Sequence, residues 1–125
     1  MKRMLLLFAL AACSKSSDQA PPPAQHVAGP VTKDPAAAKQ LIAQGATVLD
    51  VRTPQEFSGA HLRQATNMPI QDFDPAAVDK LVGGDKSKPI VVYCAKGGRA
   101  QKAKDKLDAA GYTHVVNGGG YDDLQ

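Results

Sequence analysis

The chain has 125 residues, 43% of them hydrophobic and 22% charged, which allows one small domain with a buried core and short additional segments. Its net charge of +3 includes Lys2 and Arg3, and without these two the remaining 13 basic side chains face 12 acidic ones. This near-neutral balance, with no basic patch interleaved with aromatic residues, argues against a nucleic-acid-binding protein.

The N-terminal residues predict an export signal. Residues 1–3 are Met-Lys-Arg, and the apolar run that follows, residues 4–12, is too short to span a bilayer. Residues 10–13, Leu-Ala-Ala-Cys, resemble the lipobox of bacterial lipoproteins, whose cysteine is lipidated after cleavage in front of it. We therefore expect residues 1–12 to be a lipoprotein signal peptide and Cys13 to become the lipidated N-terminus.

The expected anchor at Cys13 predicts where the protein works. Attachment through several acyl chains is stable, whereas a single chain is marginal. We expect the protein to face the periplasm from a bacterial membrane, and Ser14, in place of an aspartate, favours the outer membrane. We expect residues 13–33 to be the lipidated N-terminus and a flexible linker, because they are rich in proline and serine and poor in large apolar side chains. With Cys13 lipidated, Cys94 is the only thiol of the mature protein.

Helix start signals recur along the rest of the chain. A capping residue followed by proline begins three predicted helices, at Asp34, Thr53 and Asp74. Glu56 lies three residues after Thr53 and completes a capping box. A fourth helix is predicted over residues 99–110, where small and apolar side chains recur at helical spacing.

Strands are predicted between these helices. They cover residues 47–51, 65–69, 89–94 and 114–116, and residues 117–120 are predicted to turn out of the last strand. Alternating strands and helices with short connections predict an α/β domain over residues 34–125, with a mostly parallel central sheet flanked by helices. Ligands of such sheets bind beyond the carboxyl ends of the strands, where Cys94 lies.

The loop from Cys94 to Arg99, with Ala95 and Lys96 followed by Gly97 and Gly98, predicts an anion site with a reactive thiol. The glycines allow the loop amides to point inward, and the start of the next helix favours a thiolate. Lys96 at the loop's tip is expected to be exposed and either attracts an anion or is simply solvated. Arg99 either faces the anion or clasps the loop to a carboxylate.

Four parts of the chain carry a family resemblance: residues 48–57, 59–65 and 90–99, and Gly111-Tyr112 together with residues 117–120. They are similar to single-domain rhodaneses, the thiosulfate sulfurtransferases, and most closely to the small periplasmic phage-shock type. The resemblance implies a three-layer fold, Cys94 as the nucleophile that forms a persulfide, and residues 95–99 as its anion loop. It further implies transfer of sulfur from thiosulfate to cyanide or a thiol acceptor, with no cofactor and as a monomer.

The remaining residues that match the family are expected to be structural: Asp50, Arg52, Glu56 and His61. For Glu56 the capping box is a sufficient explanation, and His61 is expected to be a hydrogen-bonded structural histidine because a preformed thiolate needs no base. Three scattered histidines and one free cysteine do not make a metal site.

Three other functions remain open from the sequence. Cysteine phosphatases that share the rhodanese fold place five residues between cysteine and arginine, whereas four residues separate Cys94 from Arg99 here, a smaller loop that suits sulfur better than phosphate. An inactive rhodanese-like binding module would normally lack the cysteine. A thiol redox sensor would have to form an intermolecular disulfide, because the mature chain has no second cysteine.

Overall fold

The computed structural model of the protein describes residues 31–125. Its helices are Pro35–Ala43 (α1), Pro54–Gly59 (α2), Pro75–Val82 (α3) and Gly98–Ala109 (α4). Its strands are Thr47–Asp50 (β1), Ala65–Asn67 (β2), Ile90–Cys94 (β3) and Val115–Gly120 (β4), and two short 3₁₀ helices cover Ile70–Asp72 and Tyr121–Leu124. The expected signal peptide and lipidated Cys13 lie outside the described residues.

The three predicted start signals are confirmed. The Asp34 carboxylate accepts the N–H of Ala37 at 3.0 Å, and the Asp74 carboxylate accepts the N–H of Ala76 at 2.9 Å. Thr53 and Glu56 form the expected capping box at the start of α2. These local hydrogen bonds satisfy backbone donors that have no partner within a helix, so the sequence fixes where three helices begin.

The four strands form one fully parallel sheet in the order β2-β1-β3-β4. Because side chains alternate along each strand, the sheet has a buried cluster on each face. One cluster includes side chains of α3 and α4, and the other includes Ala38 of α1 and Leu124 of the last 3₁₀ helix. The predicted α/β fold with helices flanking the sheet is therefore confirmed as three layers.

The last strand is longer than the sequence predicted. Residues 117–120, expected to turn away, continue β4 as far as Gly120. The glycines here serve close packing rather than a turn, because a side chain on Gly120 would overlap the carbonyl oxygen of Ala95 in the neighbouring loop. Glycine lets β4 run directly beneath that loop, and the strand register shifts between Val92 and Cys94 at this point.

The segment before α1 also contacts the domain. The backbone N–H of Thr32 donates to Gln101 Oε1 at 3.1 Å, and Lys33 Nζ donates to Asp123 Oδ2 at 3.1 Å. The part of the predicted linker nearest the domain is therefore held against α4 and the C-terminal 3₁₀ helix. Within residues 31–125, no helix is long and apolar enough to cross a membrane.

Candidate active site

The carboxyl ends of β1 and β3 lie side by side, with Asp50 aligned to Tyr93. Asp50 and Tyr93 point to the α1 face of the sheet, because Val48 and Val91 two residues earlier belong to that cluster. Cys94 points to the opposite face and packs in the cluster that contains Ala100 and Ala103 of α4. The two faces therefore separate the thiol from the polar residues that end β1.

Cys94 is a free, buried thiol with 1% of its surface exposed. Its Sγ accepts a hydrogen bond from the backbone N–H of Gly97 at 2.9 Å. Gly97 has φ of +110°, a left-handed conformation that glycine adopts without strain, and it caps the N-terminus of α4. An inward amide and the positive end of a 12-residue helix both favour the anionic sulfur. The loop amides of residues 95–99 were expected to point inward. In the described structure, the amide of Gly97 is the one that donates to the Cys94 sulfur.

The outer surface of the loop is open. Ala95, Lys96 and Gly98 are exposed, and a side chain placed on Gly98 would meet no atom within 4 Å. In the described part of the chain Lys96 has no ion-pair partner, so its ammonium group is free to meet an anion from solvent. The loop thus presents a cation outside and a buried sulfur at its floor.

Arg99 forms a bidentate ion pair with Glu56 of α2. Its two terminal nitrogens donate to Oε1 and Oε2 of Glu56 at 2.8 and 3.1 Å. These hydrogen bonds lower the pKa of Glu56 to about 2. They also raise the pKa of Arg99, with a smaller contribution from the nearby Cys94. This geometry favours the interpretation that Arg99 clasps the loop to a carboxylate, and it keeps the charge of Arg99 close to the sulfur.

Glu56 therefore does more than the sequence indicated. The hydroxyl of Thr53 donates to Oε1 of Glu56 at 3.2 Å, and the same oxygen accepts from Arg99. The capping box alone was an incomplete explanation, since Glu56 also ties α2 to the first turn of α4. No local sequence pattern links Glu56 to Arg99, which lies 43 positions away.

Asp50 and Arg52 form a buried ion pair on the far face of the sheet. Arg52 Nε donates to Asp50 at 3.0 and 3.1 Å, and one terminal nitrogen donates to it at 2.7 Å. The guanidinium also lies over the rings of Tyr93 and Tyr121, at 5.6 and 5.0 Å from their centroids. Asn67 donates to the carbonyl oxygens of Asp50 and Arg52 at 3.1 and 3.0 Å. These contacts support the structural role expected for both residues.

His61 contacts Phe57 one helical turn earlier. The two rings stack with centroids 3.7 Å apart, and Nδ1 lies 2.8 Å from the carbonyl oxygen of Phe57. His61 is exposed, and its ring is held in place by these two contacts, as expected for a structural histidine. Between residues 31 and 125, no group of three His, Cys, Asp or Glu side chains is arranged to hold a metal ion.

Asn117 is a site residue that sequence reasoning missed. Its side chain is buried, with 1% exposure, and Nδ2 donates to the carbonyl oxygen of Gly97 at 3.0 Å. The same nitrogen donates to Gln101 Oε1 at 3.2 Å, and Oδ1 accepts the N–H of Gly119 at 2.9 Å. A polar residue between a β-branched pair and three glycines was the signal available in the sequence.

Together these contacts make a candidate site for sulfur chemistry. The thiol is removed from water, faces an amide donor and the start of a helix, and lies under a loop with an exposed lysine. Such a sulfur can act as a nucleophile, and the loop can stabilise an anion at this position without a neighbouring acid or base.

Known proteins resemble the chain over the folded domain. The family model described as Rhodanese-like domain matches residues 34–125. Thiosulfate sulfurtransferase PspE from Escherichia coli is 34% identical over 76 residues, which cover 61% of this chain and 71% of that protein. Thiosulfate:glutathione sulfurtransferase from Saccharomyces cerevisiae is 30% identical over 77 residues, which cover 54% of this chain and 55% of that protein.

The solved structures agree with this similarity. The structure described as rhodanese with anions from E. coli superposes with a TM-score of 0.59 at 34% identity. The match covers 63% of this chain and 91% of that one.

Proposed function

The chain belongs to the rhodanese-like domain family, and from this premise we propose that it is a thiosulfate sulfurtransferase that works through a Cys94 persulfide. The observation that carries the proposal is the buried Cys94 sulfur with the Gly97 N–H at 2.9 Å. A hydrogen bond to a charged group contributes about 1.5–3 kcal/mol, and this contribution favours the thiolate over the thiol. The relatives named as thiosulfate sulfurtransferases support thiosulfate as the donor.

The reaction proceeds in two steps. The Cys94 thiolate attacks the outer sulfur of thiosulfate, the sulfur–sulfur bond of thiosulfate breaks, and its electron pair leaves with sulfite. The acceptor, cyanide or a thiolate, then attacks the outer sulfur of the persulfide, and the bonding pair returns to Cys94. The products are thiocyanate or an acceptor persulfide, and no cofactor takes part.

The loop residues have distinct roles in this proposal. The Gly97 N–H stabilises negative charge on the sulfur of Cys94, and the exposed Lys96 attracts the anionic donor. Arg99 holds the loop through Glu56 and adds positive charge near the sulfur. A low-molecular-weight thiol as acceptor is supported by the name of the yeast relative.

The phosphatase alternative is less well supported by this geometry. The positive charge of Arg99 is already compensated by its bidentate ion pair with Glu56, which weakens its attraction for a phosphate. The four-residue spacing between Cys94 and Arg99 also leaves a smaller loop. The buried Cys94 with its amide donor argues equally against a binding module without chemistry.

We further propose that the protein acts as a monomer in the periplasm and is anchored to a membrane through Cys13. The contacts of Thr32 and Lys33 hold the start of the domain beside Gln101 and Asp123, so a tether would leave the domain there. Cells fed labelled palmitate should incorporate it into the wild type and not into Cys13→Ala. Labelling that persists in Cys13→Ala would remove the anchor from the proposal.

The activity is tested by mixing the protein with thiosulfate and cyanide and measuring thiocyanate. We expect thiocyanate from the wild type and none above background from Cys94→Ser, which keeps the size of the side chain and removes the sulfur. His61→Ala is the control, because the proposal gives that ring no part in the transfer. Full activity in Cys94→Ser, or hydrolysis of an aryl phosphate without any thiocyanate, would overturn the proposal.

A further inference from the structure

Gly97 is held through the peptide units on both sides of its Cα. Its N–H donates to Cys94 Sγ at 2.9 Å. Its carbonyl oxygen accepts the N–H of Gln101 at 3.0 Å, which begins α4, and the side-chain amide of Asn117 at 3.0 Å. Only the φ and ψ rotations of Gly97 separate these two groups, so a bond that holds its carbonyl group also restricts the direction of the N–H that reaches the sulfur.

Asn117 reaches this carbonyl from the neighbouring strand. Its backbone pairs with Val92 in β3, which places its side chain on the same face of the sheet as Cys94. At 1% exposure, all its polar side-chain atoms are hydrogen-bonded, and its Oδ1 accepts the N–H of Gly119. A side chain added to Gly97 would stand 3.3 Å from Gly119 Cα, so the two backbones are in close contact where Asn117 joins them.

We propose that Asn117 is a positioning residue for the chemistry of Cys94, fixing Gly97 so that its N–H points at the sulfur. The inference rests on the proposed sulfur transfer and extends it to a residue that does not touch the reacting atoms. The asparagine amide satisfies this position because it donates to Gly97 and accepts from Gly119 at the same time. An aspartate would place an acceptor against the Gly97 carbonyl oxygen and a negative charge near the sulfur.

The charged groups already present near Cys94 are the same in every Asn117 variant, and Asn117→Asp adds one carboxylate to them. Lys96 lies at the tip of the loop, Arg99 lies on α4 with Glu56 as its partner, and the Lys33–Asp123 pair lies beside Gly97 and Gly119. The other members of the buried cluster around Cys94, from β1, β3, β4, α3 and α4, carry no charged side chain. A changed thiol pKa in an Asn117 variant therefore reports on Gly97 and on the substituted side chain.

The test compares Asn117→Asp and Asn117→Ala with the wild type, all in full-length protein carrying Cys13→Ser so that Cys94 is the only thiol. The pH dependence of alkylation by iodoacetamide gives the pKa of the Cys94 thiol. We expect the alkylation profile to move to higher pH in Asn117→Asp and to move less in Asn117→Ala. We expect kcat for thiocyanate formation to fall about 10- to 100-fold with little change in KM, because the donor-binding surface is intact.

Asn67→Ala is the matched control. Like Asn117, Asn67 is an asparagine whose side chain donates to the backbone. It donates to the carbonyl oxygens of Asp50 and Arg52, at the end of β1 and away from the loop. Its loss should lower the midpoint of urea unfolding and leave the thiol pKa and kcat unchanged. Asn117→Ser, which keeps an acceptor for Gly119 and is too short to reach Gly97, replaces Asn117→Asp if that variant does not fold.

Folded Asn117 variants with the wild-type thiol pKa and kcat would overturn the inference. Equal shifts in Asn67→Ala would also overturn it, because the effect would then follow from general destabilisation. The inference and the proposed function fail separately: a wild type that makes no thiocyanate contradicts the function, while the alkylation profile still decides the role of Asn117.

Discussion

The neighbouring strands β1 and β3 end at the same edge of the sheet, and an asparagine from the strand on the outer side fixes the chain after each of them. Asn67 in β2 donates to the carbonyl oxygens of Asp50 and Arg52 after β1. Asn117 in β4 donates to the carbonyl oxygen of Gly97 after β3. The two ends use the same backbone support and differ in what that support surrounds.

After β1 the chain supplies its own anion. The N–H of Arg52 donates to the Asp50 carboxylate at 2.9 Å, and the Arg52 guanidinium neutralises the same group. After β3 the corresponding amide, that of Gly97, donates to the Cys94 sulfur, and the surrounding loop is exposed. The first end is closed by an internal ion pair, and the second is open to an external anion. The two strand ends therefore differ in their last residue, which is a carboxylate in the structural corner and a thiol, the proposed nucleophile, in the other.

The largest expected effect is a loss of stability when the ion pair at the end of β1 is broken. Asp50→Asn leaves Arg52, which is only 7% exposed, without its counter-charge. Removing one partner of a buried ion pair costs about 3–5 kcal/mol, and we expect a loss of that size in the free energy of unfolding by urea. The exposed Arg63→Ala is the control. A loss no larger than that of Arg63→Ala would show that the pair does not hold this end of the sheet.

The next largest effect is a loss of activity when the loop after β3 is displaced. In Gly120→Ala the new methyl group overlaps the carbonyl oxygen of Ala95, so the loop must move. We expect thiocyanate formation to fall about 10- to 100-fold, because small displacements of reacting groups have effects of this size. Gly59→Ala adds the same methyl group where no atom lies within 4 Å and should keep full activity. Equal activity in the two variants would mean that β4 does not set the position of the loop.

A smaller effect concerns the clasp between the two helices that flank the open end. Glu56→Gln removes an ion pair whose side chains are 32% and 35% exposed, so we expect a loss of about 0.5–1 kcal/mol at neutral pH. Folding lowers the pKa of Glu56 from 4.5 to about 2, so this stabilisation is present above pH 4.5 and is lost as the pH falls toward 2.

Unfolding by urea at pH 7 and pH 3 checks that dependence. The difference in unfolding free energy between wild type and Glu56→Gln should shrink at the lower pH. Asp108→Asn is the control, since it removes the partly exposed Lys104–Asp108 pair of α4 without touching the loop. A constant difference at both pH values would show that the charge of Glu56 contributes nothing.

The smallest effect concerns the attraction of the donor. Lys96→Ala should raise KM for thiosulfate a few-fold at low ionic strength and leave kcat unchanged, since the lysine is exposed and acts through long-range charge. The difference from wild type should disappear in high salt. Lys80→Ala, on α3, is the control. An unchanged KM at low salt would mean that Lys96 is only a solvated surface residue.

The sequence predicted the fold and the position of the reactive cysteine because their signals are local. A proline directly after Asp34, Thr53 or Asp74 marks the start of a helix, and Cys94 is the last residue of a buried strand. The pairing of Glu56 with Arg99 depends on the packing of α2 against α4, which no local pattern contains. The same applies to Asn117, whose partner Gly97 lies 20 positions away, and to the strand that continues through the glycines of residues 118–120.

The central claim is that Cys94 carries the transferred sulfur, and the mass of the intact protein tests it most directly. After incubation with thiosulfate and removal of excess reagent, the wild type should gain the mass of one sulfur atom, and cyanide should remove it again. Cys94→Ser should show no gain. A wild-type mass that thiosulfate leaves unchanged, or an added sulfur that persists in Cys94→Ser, would contradict the account.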